Sequence, residues 1–356
     1  MKSSLSLMQT ITVIAIGLLS AMHAACDETY REVNMGFDHQ GQRLSGSLIL
    51  PKNKPGPFAV VVFVHGDGAM PYDAYGYYRP LWQRLADQGI ASFSWDKPGV
   101  NRSQGAWESQ SMEDRADEVT SAIAVLKRHS AVATDKIGLI GFSQAGWVLP
   151  LVASQSDEAS FMIFISTAVN WMAQGAYDTR MRLTREGLGE TEIKQLTEVF
   201  NTMNERFIVS PSSYEEYLKF HRSHPLLRQY DQKPMSPQRF KFAQLNWHYD
   251  ANKHLETIKV PTLALFGGHD VHVDVPDTVR LYRKAFAVQG DHDLGNRDFT
   301  VNVFPDAQHS LLKQHHFGEM DPGIAFIIKL EFLGEAAFAD GFLDYVVNWL
   351  VDKAGD

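Results

Sequence analysis

Short runs of apolar residues recur along the chain and alternate with stretches of helical spacing. The clearest run is Phe58–Val64, whose seven successive apolar residues are typical of a strand that is buried on both faces of a sheet. Further strands are predicted at residues 89–95, 137–140, 161–165, 258–266 and 299–304. Amphipathic helices are predicted between several of these runs, and one of them starts at Ser111. This alternation predicts an α/β fold with a doubly wound, mostly parallel sheet.

An antiparallel pair is expected to precede the parallel strands. Residues 30–38 and 44–50 alternate between apolar and polar positions, and residues 39–43 supply a turn between them.

The alternation stops in the middle of the chain. No strand-like run is found from about residue 167 to 255, where helical spacing recurs from Ile193 to Phe207 and again from Tyr214. A helical insertion over residues 167–256 is therefore predicted between two parts of one core, 26–166 and 257–356. The second part is expected to close with an amphipathic helix around Phe342 and Trp349.

The first 25 residues are expected to be a secretory signal peptide. Lys2 precedes an apolar core at 11–19 and a small-residue exit at Ala24 and Ala25, and this core is too short to span a membrane comfortably. The protein is accordingly expected in the periplasm or outside the cell. Cys26 keeps open a lipoprotein alternative in which it is lipidated, and membrane contact is expected in that case alone. It is the only cysteine, so no intramolecular disulfide can form.

Composition narrows the function classes. The 356 residues are 44% hydrophobic and 21% charged, as in an ordinary globular protein, and the net charge is −9. No basic patch is evident, so nucleic acid is not an expected partner.

One serine lies in a tight turn between a predicted strand and a predicted helix. The residues from Gly141 to Gly146 read G-x-S-x-A-G around Ser143, and Ala145 replaces the second glycine of the usual G-x-S-x-G pattern. Such a turn can hold a hydroxyl out at the end of a sheet, as a nucleophile elbow does. Taken alone, the stretch fits equally well an ordinary strand–turn–helix with a capping serine.

Two further residues turn this serine into a candidate catalytic group. Ser143, Asp270 and His309 each come after a different predicted strand, and the carboxyl ends of parallel strands meet at one edge of a sheet. A serine hydroxyl needs a neutral imidazole to take its proton, and a carboxylate on the far ring nitrogen orients that imidazole. Asp274 lies in the same loop as Asp270 and is the competing candidate for the acid.

The same edge is predicted to supply an oxyanion hole. The Gln144 amide comes directly after the candidate nucleophile, and a second amide is expected from Asp67 in the loop after the strand Phe58–Val64. His65, in the same loop, is expected to be structural, because Ser143 already has a better-placed base.

Five motifs together resemble the α/β-hydrolase superfamily: His65-Gly66, Asp96-Lys-Pro-Gly, the sequence around Ser143, Phe266-Gly-Gly-His-Asp270 and Phe304-Pro-Asp-Ala-Gln-His309. From about residue 30 onward, the insertion apart, the chain resembles bacterial secreted esterases related to the dienelactone-hydrolase and prolyl-oligopeptidase-like branches. The resemblance implies that Ser143 is the nucleophile, Asp270 the acid and His309 the base. It also implies that the insertion is a cap over the catalytic edge. Ala145 and Asp67 depart from the family pattern.

The expected activity is hydrolysis of small carboxylic esters through an acyl-enzyme, without a cofactor. Trp147 and Trp171 are candidate substrate-binding residues. The histidines and aspartates at 269–274 lack clear ligand spacing, so no metal site is predicted. Alternatives are a peptidase or amidase of the prolyl-oligopeptidase-like branch, a thioesterase and, from another class, a non-catalytic binding protein with this fold.

Overall fold

The computed structural model describes residues 29–230, 233–287, 298–318 and 323–355, and within these residues eight strands form one sheet. The predicted signal peptide and Cys26 lie outside the described residues. A separate pair of short strands, β2 and β3, completes the strands of this part of the chain. In chain order the strands are β1 Tyr30–Asn34, β2 Phe37–His39, β3 Gln42–Leu44, β4 Gly46–Pro51, β5 Phe58–Val64, β6 Ala91–Trp95, β7 Val132–Phe142, β8 Met162–Ile165, β9 Thr262–Gly267 and β10 Phe299–Phe304.

Helices connect the strands and fill the region between β8 and β9. They are α1 Arg79–Gln88, α2 Met112–Leu126, α3 Ala145–Gln155, α4 Trp171–Arg185, α5 Glu190–Asn204, α6 Tyr214–Ser223, α7 Pro225–Tyr230, α8 Pro237–Asn246, α9 Asn252–Leu255, α10 Val275–Ala287, α11 Gln314–Phe317, α12 Ile324–Leu333 and α13 Phe342–Gly355. No helix in the described ranges is both long and apolar enough to cross a bilayer.

The sheet has the order β1-β4-β6-β5-β7-β8-β9-β10. The pairs β1–β4 and β4–β6 are antiparallel, and the remaining neighbours from β6 to β10 are parallel. The predicted mostly parallel sheet with an antiparallel start is confirmed. The helix predicted at Ser111 also forms, because the Ser111 hydroxyl accepts the Asp114 amide while the Asp114 carboxylate accepts the Ser111 amide.

Three predicted strands differ from the structure, and the strand predicted at 137–140 is longer, because β7 runs from Val132 to Phe142. The strand predicted at 30–38 ends at Asn34, and β2 and β3 instead form their own hairpin with positive φ angles at Gln40 and Gly41. Two successive positive φ angles are what a two-residue hairpin turn requires. The strand predicted from residue 258 begins at Thr262, directly after Pro261, which has no N–H to donate to a neighbouring strand.

Both faces of the sheet are buried, as the continuous apolar runs predicted. On β5, Val60, Val62 and Val64 belong to a core shared with α2 and α3, whereas Val61 and Phe63 belong to a core shared with α1 and α13. Successive side chains of β5 therefore point to opposite faces of the sheet and pack against different layers of helices.

The region between β8 and β9 has a small core of its own. Its members are Met203, Phe207, Ile208, Tyr217, Leu227 and Phe240. The described residues of this region contain helices α4–α9 and no named strand. The chain enters and leaves it side by side: Asn170 and Asp250 form an isolated antiparallel bridge, flanked by hydrogen bonds from Trp171 N to Tyr249 O at 3.0 Å and from Ala251 N to Val169 O at 2.8 Å.

The loops after β9 and β10 are in close contact. A Cβ atom added at Gly267 would lie 2.3 Å from Gln308 O and 2.6 Å from Ala307 O. The His269 amide also donates to Ala307 O at 2.9 Å. A residue without a side chain is therefore required where the loop that carries His309 passes β9.

We expect Gly267→Ala to destabilise the protein by about 1–3 kcal/mol, because the added methyl group meets backbone oxygens that cannot rotate away. Gly175→Ala is the matched control, since a Cβ at this helical position in α4 meets no atom within 4 Å and alanine favours a helix by up to about 1 kcal/mol. Urea unfolding of both variants tests this contact. A Gly267→Ala variant as stable as the parent would show that the two loops do not depend on it.

Candidate active site

Ser143 occupies a strained turn between β7 and α3. Its φ is +49°, an uncommon conformation for a residue with a side chain, and its amide donates to Ile165 O on the neighbouring strand β8 at 2.9 Å. Ala145, the departure from the usual glycine, is fully buried. The turn predicted from the sequence is thus present, and the backbone holds Ser143 at the carboxyl end of the sheet.

The structure brings Ser143, His309 and Asp270 into one hydrogen-bonded line. The Asp270 Oδ2 atom accepts the Nδ1–H of His309 at 2.8 Å, which leaves Nε2 free to accept the Ser143 hydroxyl at 3.0 Å. The other Asp270 oxygen accepts the amides of His272 at 2.8 Å and Val273 at 2.9 Å. This arrangement can move a proton from Ser143 to His309 while a fixed negative charge stabilises the imidazolium.

The charge state of His309 depends on its neighbours. Burial alone favours the neutral imidazole, but the charge and hydrogen bond of Asp270, with a further contribution from the Asp178 carboxylate, outweigh it and raise the pKa of His309. The ring therefore keeps a proton to a higher pH than an isolated histidine does.

Asp274, the competing candidate for the acid, lies elsewhere. Its Oδ1 atom accepts the Asp277 amide at 3.1 Å, and its backbone carbonyl accepts the Thr278 amide at 2.8 Å. These contacts cap the start of α10, a common role for an aspartate at a helix N-terminus.

The loop after β5 passes directly beside the candidate nucleophile. A Cβ atom at Gly66 would lie 3.3 Å from the Ser143 Cβ. Within the described residues, neither the Asp67 amide nor the Gln144 amide donates to a backbone carbonyl. The loop that carries Asp67 therefore passes Ser143, and the role of the Asp67 and Gln144 amides in an oxyanion hole stays a prediction.

Two buried basic side chains fix the backbone of this loop. Lys97 Nζ donates to Gly66 O at 3.0 Å, and Arg115 Nη2 donates to His65 O at 2.5 Å. In a trans peptide the carbonyl and the following amide point in opposite directions. By holding Gly66 O, Lys97 therefore turns the Asp67 N–H away from itself. Sequence reasoning included Lys97 in a family motif but assigned no role to it or to Arg115, although Arg115 falls on the apolar face of its helix, where an unpaired charge is unexpected.

His65 is structural, as expected. Its Nε2 donates to Trp95 O at 2.6 Å, and its Nδ1 accepts the Tyr78 hydroxyl at 3.0 Å. Burial, together with the nearby charges of Lys97 and Arg115, outweighs the hydrogen bond to Trp95 and lowers the pKa of His65 to about 3. The ring is neutral at physiological pH and braces the loop.

The two candidate substrate-binding tryptophans pack against each other, with ring centroids 4.7 Å apart. Trp147 is 5% exposed and its indole N–H donates to Val169 O at 2.9 Å. Trp171 also contacts Phe242 of α8, with ring centroids 5.7 Å apart. These contacts place the pair where α3 meets the helical insertion, and their role in substrate binding stays a prediction.

Helix α4 contacts the loop that carries Asp270. The Tyr177 hydroxyl donates to Asp270 O at 3.2 Å, and His272 Nδ1 donates to the Asp178 carboxylate at 2.6 Å. The ring of His272 lies edge-on to that of His309, 5.1 Å between centroids. The helical insertion therefore adds polar groups to the surroundings of His309. Across the described residues, no three His, Cys, Asp or Glu side chains form a group that could hold a metal ion.

The family described as "Serine aminopeptidase, S33" matches residues 55–315, from just before β5 into α11. The chain belongs to this family. Membership confirms the predicted relation to the α/β-hydrolases and makes the protein a hydrolase. No curated protein matches the chain in sequence.

Solved structures share the fold at low sequence identity. The Pyrococcus furiosus esterase Pf2001 is 16% identical with a TM-score of 0.56, and the alignment covers 92% of both chains. Est1E from Butyrivibrio proteoclasticus is 15% identical with a TM-score of 0.53, over 91% of this chain and 99% of that one. A putative dienelactone hydrolase from Klebsiella pneumoniae is 13% identical with a TM-score of 0.53, over 92% and 99%. These structures establish the α/β-hydrolase fold.

Asp178→Asn should move the acidic limb of the kcat/KM profile to lower pH. His309 accepts a proton only when neutral, so activity rises as pH passes through its pKa, and removing a negative charge lowers that pKa. A pH series on the variant measures the shift. Asp87→Asn, an exposed change on α1, is the control. An acidic limb that stays in place or moves to higher pH would contradict the assigned effect of Asp178.

Asp270→Asn should lower kcat by about 10⁴, the effect of that change in a serine protease, because the amide favours the wrong tautomer of His309. Asp274→Asn should have little effect, since asparagine caps a helix nearly as well as aspartate. Steady-state kinetics on the two variants separate the roles. The reverse ranking would make Asp274 the acid.

Proposed function

We propose that the protein is a serine-dependent hydrolase of carboxylic esters that works through an acyl-enzyme. One observation carries the proposal: Ser143 Oγ lies 3.0 Å from His309 Nε2, and His309 Nδ1 lies 2.8 Å from Asp270 Oδ2. A non-catalytic binding protein would gain nothing from a buried Asp270 carboxylate that is hydrogen-bonded to the histidine next to Ser143. No cofactor takes part in the proposed reaction.

In the proposed first step, Ser143 Oγ attacks the ester carbonyl carbon while His309 takes the hydroxyl proton. The amides of Asp67 and Gln144 hold the negative oxygen of the tetrahedral intermediate. The imidazolium then gives its proton to the leaving alcohol, and the acyl group stays on Ser143. In the second step His309 takes a proton from a water molecule while the water oxygen attacks the acyl carbon. The bond from that carbon to Ser143 Oγ then breaks, His309 returns the proton to the serine oxygen, and the carboxylic acid leaves.

Ester hydrolysis is preferred to peptide hydrolysis because of the surroundings of Asp178. An aminopeptidase needs an anionic group to bind the substrate ammonium. Asp178 of α4 is a candidate for this group, because its carboxylate is close enough to His309 to raise the pKa of that residue. It is already paired with His272 at 2.6 Å. Hydrolysis of peptides with a free amino terminus, which the family description suggests, is therefore the second candidate. Thioester hydrolysis ranks below both.

We also propose that the protein is exported to the periplasm or the medium. The basis is the sequence alone: Lys2, the apolar core at 11–19 and the small residues before Cys26. Lipidation of Cys26 is the variant of this proposal that would add membrane contact.

Ser143→Ala should abolish labelling by a fluorophosphonate and lower hydrolysis of nitrophenyl esters by about 10⁴–10⁶, because oxyanion and binding contributions alone remain. Ser154→Ala, an exposed change on α3, should keep full labelling. A parallel panel of aminoacyl nitroanilides with free and blocked amino termini separates the two candidate substrates. Labelling retained in Ser143→Ala would refute the nucleophile, and faster turnover of the free-amine nitroanilides would favour the peptidase.

A further inference from the structure

An arginine of the helical insertion binds the loop that carries a candidate oxyanion amide. Arg239, in the first turn of α8, donates from Nη1 to Asp67 Oδ1 at 2.9 Å and from Nη2 to Asp67 Oδ2 at 2.7 Å. Its guanidinium also lies 4.9 Å from the ring centroid of Phe242 and 6.0 Å from that of Trp107. A bidentate pair fixes the orientation of the carboxylate as well as its distance.

The same carboxylate is joined to the second candidate amide. Asp67 Oδ1 also accepts Gln144 Nε2 at 2.9 Å, and Gln144 Oε1 accepts Arg115 Nη1 at 2.6 Å. The hydrogen bonds thus run from Arg239 in the insertion through Asp67 and Gln144 to Arg115 in the core. Asp67 and Gln144, whose amides are the candidates for the oxyanion hole, are therefore also the residues whose side chains link the two arginines.

The charges of the two side chains favour the contact between Arg239 and Asp67. Burial alone raises the pKa of Asp67, but the charge and hydrogen bonds of Arg239, with help from Lys97, outweigh it and lower the pKa below its usual value. Asp67 is therefore ionised at neutral pH, where its carboxylate attracts the guanidinium of Arg239. The backbone of the Gly66–Asp67 peptide is held by Lys97 on its carbonyl side, and Arg239 holds the adjoining side chain.

We propose that Arg239 is a positioning residue of the oxyanion hole: by holding Asp67, it keeps the Asp67 and Gln144 amides aimed at the same point beside Ser143. The inference rests on the proposed ester hydrolysis. Under this proposal, catalysis by the core depends on the helical insertion, because Arg239 of α8 positions a residue of the oxyanion hole. The expected kinetic signature is a loss in kcat with KM nearly unchanged, since the oxyanion develops in the transition state and not in the bound substrate.

Arg239→Gln should lower kcat on a short-chain nitrophenyl ester about 10- to 100-fold, less than the 10²–10³ for deleting one oxyanion donor outright, because the amides remain but lose their alignment. The inhibition constant of a trifluoromethyl ketone, which forms the tetrahedral adduct, should rise by the same factor. Arg239→Lys should fall between the parent and Arg239→Gln, because an ammonium keeps the charge but not the bidentate geometry. Arg182→Gln, which removes another guanidinium from the insertion and its ion pair with Glu186, should leave both constants unchanged.

Two outcomes would overturn the inference, and a further variant tests the same pair of residues. A rise in KM alone, with kcat and the inhibition constant unchanged, would overturn the inference and make Arg239 a substrate contact. Equal losses in Arg239→Gln and Arg182→Gln would overturn it, because loss of a guanidinium elsewhere in the insertion would then have the same effect as loss of the contact with Asp67. Asp67→Asn tests the same pair without touching α8, and the double variant with Arg239→Gln should be no slower than the slower single variant if the two act as one unit.

Active-site titration keeps this test separate from the proposed function. A fluorophosphonate should still label Ser143 in Arg239→Gln to one equivalent, at a reduced rate. Failure to label Ser143 in the parent protein would refute the serine mechanism itself. Full labelling with unchanged kcat in Arg239→Gln would refute only the role of Arg239.

Discussion

A buried carboxylate sets the geometry of the catalytic edge. The Asp270 side chain has 0% exposure, and a charge removed from water is costly unless its oxygens are hydrogen-bonded. Two bonds come from amides of its own loop and the third from His309, on the loop after the next strand. The loops after β9 and β10 must therefore close on each other, and Gly267 provides the space. The hydrogen bonds that stabilise the buried carboxylate of Asp270 therefore also position His309 next to Ser143.

The other side of the site contains two buried basic side chains. Lys97 and Arg115 are 2% and 4% exposed, and each donates to a backbone carbonyl of the loop beside Ser143. Burial, with the nearby charge of Arg115, lowers the pKa of Lys97 well below its usual value. The carbonyl oxygens accept hydrogen bonds from both side chains, and the carboxylates of Asp67 and Glu118 interact electrostatically with them. The backbone of the loop beside Ser143 is thus fixed by hydrogen bonds before a substrate binds, as a preorganised oxyanion hole requires.

The sequence could predict features that repeat along the chain and residues that come directly after a strand. The apolar run of β5 and the turn at Ser143 each carry their signal locally, and the order of strands then brings Ser143, Asp270 and His309 to one edge. Contacts between distant segments carry no such signal. The Arg239–Asp67 pair joins residues 172 positions apart, and charged residues on helices ordinarily face water. Helix α12 escapes prediction for a different reason: its nearly continuous apolar residues, Ile324–Leu333, lack the polar spacing that identifies a helix.

The bridge between Asn170 and Asp250 has a consequence for how this enzyme can diversify. A segment whose two ends lie side by side can be shortened, lengthened or exchanged at small cost in loop-closure entropy, while the strands on either side keep their register. The sheet would then act as a constant platform and the helical segment as a replaceable module. Arg239 limits that freedom, because an exchanged module must either supply its own cation for Asp67 or leave the platform incomplete.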